Sequence, residues 1–259
     1  MSEQILVQRE DAVATVILNR PAKLNAMTKD MWRQLGETVE SLSGDDGLRC
    51  VVLRGAGSKS FSPGNDIGEF EHERANVDQA RAYGGIMART IHALQACRHP
   101  TVASIHGICV GGGLEIACCC DLRICGASSR FGVPINKLGL VMALPELEGL
   151  VRLVGRSAAT EILLEGRVFA AEEALRLGLV NRVVEDDEVE NATRALVQRV
   201  IDGAPLVARW HKQFIKRLED PTPLTAEEID EGYRCFGTED FRIGYRAFLK
   251  KQKPKFVGK

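Results

Sequence analysis

Three consecutive glycines constrain this chain more than any other stretch. Thr101–Ile105 is a short apolar run of strand character. It is followed by His106-Gly107-Ile108-Cys109-Val110-Gly111-Gly112-Gly113-Leu114-Glu115, and a helix-like segment continues to about Cys120. A strand that turns through glycines into a helix leaves unpaired N–H groups at the helix N-terminus and lets a ligand approach the backbone closely. Such donors hold a phosphate or stabilise a developing oxyanion. A tight turn with packing glycines would have the same composition. The run does not match the Gly-x-Gly-x-x-Gly dinucleotide fingerprint, and it lacks the Lys-Ser or Lys-Thr that closes a phosphate-binding loop. Glu115 falls in the first turn of the helix, where the helix dipole favours a carboxylate. Its neighbours Leu114, Ile116 and Ala117 are apolar, a setting that raises a carboxyl pKa and suits acid–base work. Both readings of Glu115 stand at this point.

The rest of the chain supplies the frame. Gln4–Gln8 and Ala12–Leu18 are Val/Ile-rich runs separated by Arg9-Glu10-Asp11, the pattern of a hairpin. Thr28 is placed to cap a helix whose apolar residues Met31, Leu35, Val39 and Leu42 recur at near-helical spacing. Arg49–Arg54 is a strand, Gly55–Asp66 a Gly/Ser-rich loop, Ala80–Ala96 a helix and Asp121–Cys125 a strand. From Glu146 onward helices dominate, apart from a strand at Leu179–Val184. Helices are expected at Glu188–Ile201, Pro205–Leu218, Thr225–Cys235 and Asp240–Lys251. Alternating strands and helices predict an α/β fold, a sheet covered by helices. No linker interrupts it, so residues 1–195 form the core and residues 196–259 a helical region of the same structural unit. No repeat shows at the periods of solenoid arrays.

Composition excludes several classes. A net charge of −1 over 259 residues lacks the basic excess of a nucleic-acid binder. No apolar stretch approaches the ~20 residues of a membrane span, and Met1–Gln8 has no signal-peptide pattern. The eight cysteines, three of them adjacent at Cys118–Cys120, are expected as buried thiols in a reducing compartment. These features predict a soluble cytoplasmic protein without nucleic-acid or membrane partners. The five histidines show no ligand spacing, and neither a His-Glu-x-x-His pair nor a Gly-x-Ser-x-Gly elbow occurs, so no metal is expected. The basic stretch Arg209, His211, Lys212, Lys216 and Arg217 is expected to be a solvated helix face.

Taken in order, several segments resemble the enoyl-CoA hydratase/isomerase (crotonase) superfamily over almost the whole length. They are Leu18-Asn19-Arg20-Pro21 with Asn25-Ala26-Met27, Phe61-Ser62-Pro63-Gly64-Asn65-Asp66-Ile67, His106-Gly107 through Glu115, and Cys120-Asp121-Leu122-Arg123-Ile124. Phe131-Gly132-Val133-Pro134, Leu175-Arg176-Leu177-Gly178-Leu179-Val180 and Ala247-Phe248-Leu249-Lys250-Lys251 complete the series. The resemblance implies a crotonase-like spiral of β-β-α units with a C-terminal helical trimerisation region, assembled as a homotrimer or a dimer of trimers. It implies an acyl-CoA thioester substrate, with coenzyme A entering as part of the substrate and no separate cofactor. It places an oxyanion hole at the backbone N–H groups of Asn65 and Gly112, and an acid/base at Glu115. Contacts to the acyl-CoA map to Lys23, Leu24, Ala26, Ser62, Gly64, Asp66, Ile67, Gly111, Pro134 and Ile135. Phe248 and Lys251 would close the nucleotide end, from a neighbouring subunit.

One departure stands out. Hydratases of the superfamily carry a second glutamate after Phe-Gly-x-Pro, and here that residue is Ile135, which cannot move a proton. Certain isomerases place an acid shortly after the following Leu-Gly pair, where this chain has Ala143. Three readings follow. Glu115 is the sole acid/base of a hydration or double-bond shift; or the enzyme decarboxylates a malonyl-type CoA in an apolar pocket, with Asn65 or Asn136 orienting the carboxylate; or the protein binds acyl-CoA without catalysis. Glu146 and Glu148 are candidates to fold back toward Glu115, against a simpler role as first-turn helix acids. Cys109 has no base beside it and is expected to pack.

Overall fold

The computed structural model describes residues 3–259. The chain opens on an antiparallel pair, β1 (Ile5–Glu10) and β2 (Val13–Leu18), in register from Ile5 opposite Leu18 to Glu10 opposite Val13. The turn is tighter than Arg9–Asp11: Arg9 and Glu10 extend β1, and Asp11 reverses the chain with a φ of 49°, a conformation its short polar side chain tolerates. After it, α1 (Lys29–Ser43) starts where Thr28 accepts the Met31 N–H at 3.2 Å, an N-cap that satisfies one orphan donor.

A structural repeat then appears. β3 (Cys50–Gly55) and β4 (Ser60–Ser62) lead to the short α2 (Phe70–Glu73) and the long α3 (Val77–Ala96). β5 (Thr101–Ile105) and β6 (Ile108–Val110) lead to α4 (Gly112–Cys118). β7 (Leu122–Gly126) and β8 (Arg130–Gly132) lead to α5 (Leu144–Glu165), which is broken at Gly155. In each unit the first strand joins one sheet and the second strand another. The larger sheet has the order β1-β2-β3-β5-β7-β10 and the smaller β4-β6-β8-β9, where β9 is Val168–Ala170 and β10 is Arg182–Val184. From β2 onward the larger sheet is parallel, and in the smaller one only β9 runs antiparallel to its neighbour. This is the expected α/β spiral of β-β-α units. The repeat escapes a periodicity search because its first strands begin at Cys50, Thr101 and Leu122, at no constant spacing.

The remaining helices are α6 (Ala171–Arg176), α7 (Val189–Ile201), α8 (Pro205–Arg217), α9 (Ala226–Glu231) and α10 (Glu239–Leu249). Several expectations need correction. β4 lies inside the segment expected as the loop Gly55–Asp66, β9 is a strand not expected after Glu146, and the strand expected at Leu179–Val184 is β10, from Arg182 only. α3 begins at Val77, because Asn76 accepts the Gln79 N–H at 3.0 Å and caps it there. The segment expected as one helix over Thr225–Cys235 is α9 followed by a separate 3-10 turn at Arg234–Gly237. The basic face of α8 is not wholly solvated: Lys212 Nζ bonds Asp121 at 2.8 Å and the His99 carbonyl at 3.0 Å, fastening the helix to the core. Among the described residues no helix is long and apolar enough to cross a membrane. All eight cysteines are free and seven are buried, and burial pushes the Cys109 thiol well above its ordinary pKa.

One packing contact positions the site. α1 buries Met31, Trp32, Leu35, Val39 and Leu42, each side chain worth roughly 1.5–3 kcal/mol when fully taken from water. At Gly36 the helix comes so close to α3 that a Cβ would lie 2.9 Å from Thr90 Oγ1, and that hydroxyl donates to the Trp32 carbonyl at 2.7 Å. The contact fixes the turn that carries Trp32.

Candidate active site

The segment around Gly64 and the start of α4 meet backbone to backbone. Met27 N–H donates to the Gly64 carbonyl and Asp66 N–H to the Met27 carbonyl, both at 2.8 Å. The Asn65 N–H between them makes no hydrogen bond within the protein. Gly112 opens α4, and its N–H also goes unpaired, as the first donors of a helix must. The two strands of chain nearly touch: a Cβ on Gly64 would lie 2.7 Å from Gly112 N, and one on Gly112 3.6 Å from Asn65 N. Gly64 has a φ of +94°, so only glycine fits here both conformationally and sterically. At Gly113 a Cβ would fall 2.2 Å from the Ser62 carbonyl. The glycine run is therefore a close-approach device as well as a turn.

Side chains lock this junction. Trp32 Nε1 donates to Asn65 Oδ1 at 2.6 Å. The Ser62 hydroxyl donates to the Asn25 carbonyl at 2.9 Å and accepts the Gly64 N–H at 3.1 Å, so its bonding is satisfied inside the protein. Gly111 turns into α4 with a φ of +49°, donating its N–H to the Gly132 carbonyl and accepting that of Glu115. Lys23, Leu24 and Ala26 form a tight turn beside it, and Lys23 and Leu24 are exposed. Arg20 ties this turn to the Gly64 segment, donating to the Ala26 carbonyl at 3.0 Å and to Asp66 Oδ2 at 2.7 Å. The Arg20 guanidinium holds the Asp66 carboxyl below its usual pKa. Ile67, half exposed, follows.

Glu115 lies one turn into α4 at 4% exposure, and its Oε2 is buried with no hydrogen-bond partner. Burial pushes its pKa well above the carboxylate range, the charge of Glu146 pushes it further, and Arg74 partly opposes both. Arg74 stacks over the rings of Phe70 and Tyr83, each centroid 4.9 Å away. Pro134 and Ile135 sit in a 3-10 turn after β8, and Ile135 packs half-buried against the core. Asn136 is committed elsewhere, donating to the Leu164 carbonyl at the end of α5. Phe248 (83% exposed) and Lys251 lie at the end of α10, and no hydrogen bond joins them to the junction. No cluster of three metal-ligating side chains occurs among the described residues. The sequence left Trp32, Arg20 and Arg74 without a role in the site. Arg20 belongs to the Leu18-Asn19-Arg20-Pro21 motif, but nothing in the pattern around Trp32 distinguishes it from ordinary core.

Comparison with known proteins agrees with this architecture. The family profile "Enoyl-CoA hydratase/isomerase" matches residues 8–259. A short-chain-enoyl-CoA hydratase of Clostridium acetobutylicum is 34% identical over 96% of this chain and 95% of its own. A crotonyl-CoA hydratase of Syntrophomonas wolfei is 32% identical over 99% of each. The crystal structure of an enoyl-CoA hydratase/carnithine racemase from Magnetospirillum magneticum superposes with a TM-score of 0.98 at 50% identity, covering 100% of this chain and 97% of that one. With its spiral of β-β-α units and a match over nearly its whole length, the chain belongs to the enoyl-CoA hydratase/isomerase family of enzymes.

Proposed function

We propose that this enzyme binds an acyl-CoA thioester and stabilises its enolate through the N–H groups of Asn65 and Gly112, with Glu115 as acid/base in an enoyl-CoA hydration or double-bond shift. The observation that carries the reading is the pairing of two unsatisfied N–H donors with a buried, unpartnered carboxyl one turn further on. Charge that moves onto the thioester oxygen would be met by donors already in place, each worth roughly 3–4 kcal/mol in the transition state. A carboxyl kept protonated by burial has a proton to give to the α-carbon.

In this reading Lys23, Leu24, Ala26, Gly64, Asp66 and Ile67 contact the coenzyme A portion, Ser62 holds the turn that presents them, and Pro134 and Ile135 line the acyl side. Phe248 and Lys251 act from a neighbouring subunit of a trimer or dimer of trimers. Coenzyme A is the only cofactor-like group involved, as part of the substrate. The decarboxylase alternative loses Asn136, whose Nδ2 donates to the Leu164 carbonyl at the end of α5; it would rest on Asn65, whose Oδ1 is held by Trp32 and whose Nδ2 meets only Met87 Sδ at 3.8 Å. The test is loss of the conjugated-thioester absorbance of crotonyl-CoA. Turnover that disappears in Glu115→Gln, with binding of CoA esters retained, is the expected result; a folded, CoA-binding wild type without turnover refutes hydration.

A further inference from the structure

Ile135 leaves the hydration proposed above one proton carrier short, and a second carboxylate stands across from Glu115. Cys118 lies one turn beyond Glu115 on α4, and Gly149 one turn beyond Glu146 on α5. A Cβ on Gly149 would rest 3.4 Å from Cβ of Cys118. Further along, Arg152 and Leu153 of α5 line the same cavity as Asp121 and Leu122, which follow the end of α4, so α5 runs on in the direction that the chain takes through and beyond α4. Residues three apart share a helix face, which sets Glu146 opposite Glu115.

Electrostatics agree with this placement. Glu146 is the neighbouring charge that raises Glu115, and Arg74 acts favourably on both carboxylates. Glu146 is half-buried. Its Oε2 accepts the Ala143 N–H at 2.9 Å, whereas Oε1 accepts no hydrogen bond from the protein. Glu148, the other candidate, is exposed and paired with Arg152 at 2.7 Å.

We infer that Glu146 is the second catalytic carboxylate of this enzyme, supplying from α5 the function that Ile135 cannot. The inference rests on the hydration reading. A water held between the two carboxyls gives a proton to ionised Glu146 as its oxygen bonds to the β-carbon. The π electrons of the double bond move onto the thioester oxygen to give the enolate. The enolate then collapses, and its α-carbon takes the proton of Glu115. The product carries hydroxyl at the β-carbon and hydrogen at the α-carbon, leaving Glu146 protonated and Glu115 ionised. Proton exchange through the next water restores the pair.

The experiment compares wild type with Glu146→Gln, Glu115→Gln and Glu148→Gln on crotonyl-CoA, with kcat and KM measured across pH. Glutamine at 146 still accepts the Ala143 N–H, so the start of α5 is kept. Glu146→Gln is expected to lose about 100-fold or more in kcat with KM little changed, and to lose the acidic limb of the kcat/KM profile. That limb reports the ionisation of Glu146, whose facing charges are Glu115 and Arg74. Glu148→Gln should stay within about twofold of wild type. Glu146→Asp, which keeps the charge on a shorter arm, should recover part of the rate and the acidic limb. An active wild type, an inactive Glu115→Gln and a Glu146→Gln of near-normal kcat and pH profile would overturn this inference alone. An inactive wild type, or an active Glu115→Gln, would instead bring down the hydration reading and this inference with it.

Discussion

The two ends of α4 treat buried ionisable groups in opposite ways. At its C-terminal end Arg123 is only 2% exposed, and its guanidinium donates to the carbonyls of Ala117, Cys120, Asp121 and Leu179. A cation there matches the helix dipole and closes the orphan carbonyls. At the N-terminal end Glu115 is equally buried, yet Oε2 has no partner and the Gly112 N–H beside it is open. A buried guanidinium whose donors are all used fixes geometry, whereas a buried neutral carboxyl with an unpaired oxygen costs about 1–3 kcal/mol. The same short helix is thus finished at one end and left open at the other, and the open end faces the Gly64–Asn65 junction.

The sharpest way to test this contrast is at Glu115. Glu115→Gln should lower kcat on crotonyl-CoA about 10³-fold without lowering the denaturant midpoint. Glu115→Leu should be equally inactive but more stable by about 1–2 kcal/mol, since it removes an unsatisfied polar group. A strongly destabilised Glu115→Leu would erase the contrast. At the closed end the expected effect is reversed. Arg123→Met should cost about 3 kcal/mol of unfolding free energy by stripping donors from buried carbonyls, while the folded fraction keeps its kcat.

Next in size is the junction that the open end faces. Gly64→Ala should reduce kcat about 10²-fold, because the methyl would lie 2.7 Å from Gly112 N at a φ of +94°. Gly57→Ala is the control. Its φ is +73° with nothing within 4 Å of the added Cβ, so activity should be unaffected and only stability should fall, by about 1 kcal/mol.

The smallest effect comes from His99, which shows that an unpartnered buried group need not be a site. Both ring nitrogens are buried without partners, and burial, with Arg209 and Arg98 nearby, lowers its pKa from 6.5 to about 4. Between those values the unfolded chain takes up a proton that the folded one refuses, so stability falls as pH drops from 6.5 toward 4. Glu115 contributes the opposite slope: its folded pKa is raised, so its contribution declines as pH rises above 4.5. Denaturation of His99→Gln across pH should flatten the acidic side alone, and Glu115→Leu the other.

The elements legible in the sequence were those that carry their own signal. Thr28 capped the helix expected of it, and Thr101–Ile105 is a strand with those bounds. The three-residue strands β4, β6 and β8 were not legible, because three residues are too few to show an alternation. The glycine run was recognised as a strand-to-helix turn with open N–H groups, which the structure bears out. That a second backbone presses against it, at Gly64 and Ser62, lay outside local pattern. The histidines show no ligand spacing, and nothing local in the sequence marks His99 as buried without partners.

By itself, the sequence determined the family, through the order and spacing of its motifs, and the longer strands and capped helices, because caps, apolar runs and glycines act within a few residues of chain. It also put Ile135, which has no proton to move, after Phe131-Gly132-Val133-Pro134. Only the tertiary structure decided that Trp32 orients Asn65, that Arg20 joins the Ala26 turn to Asp66, and that Glu146 is half-buried while Glu148 is exposed and paired with Arg152. Those relations depend on how helices and sheets pack across dozens of residues. Two carboxylates two positions apart on one helix look alike in a sequence until a neighbouring helix buries one and leaves the other in water.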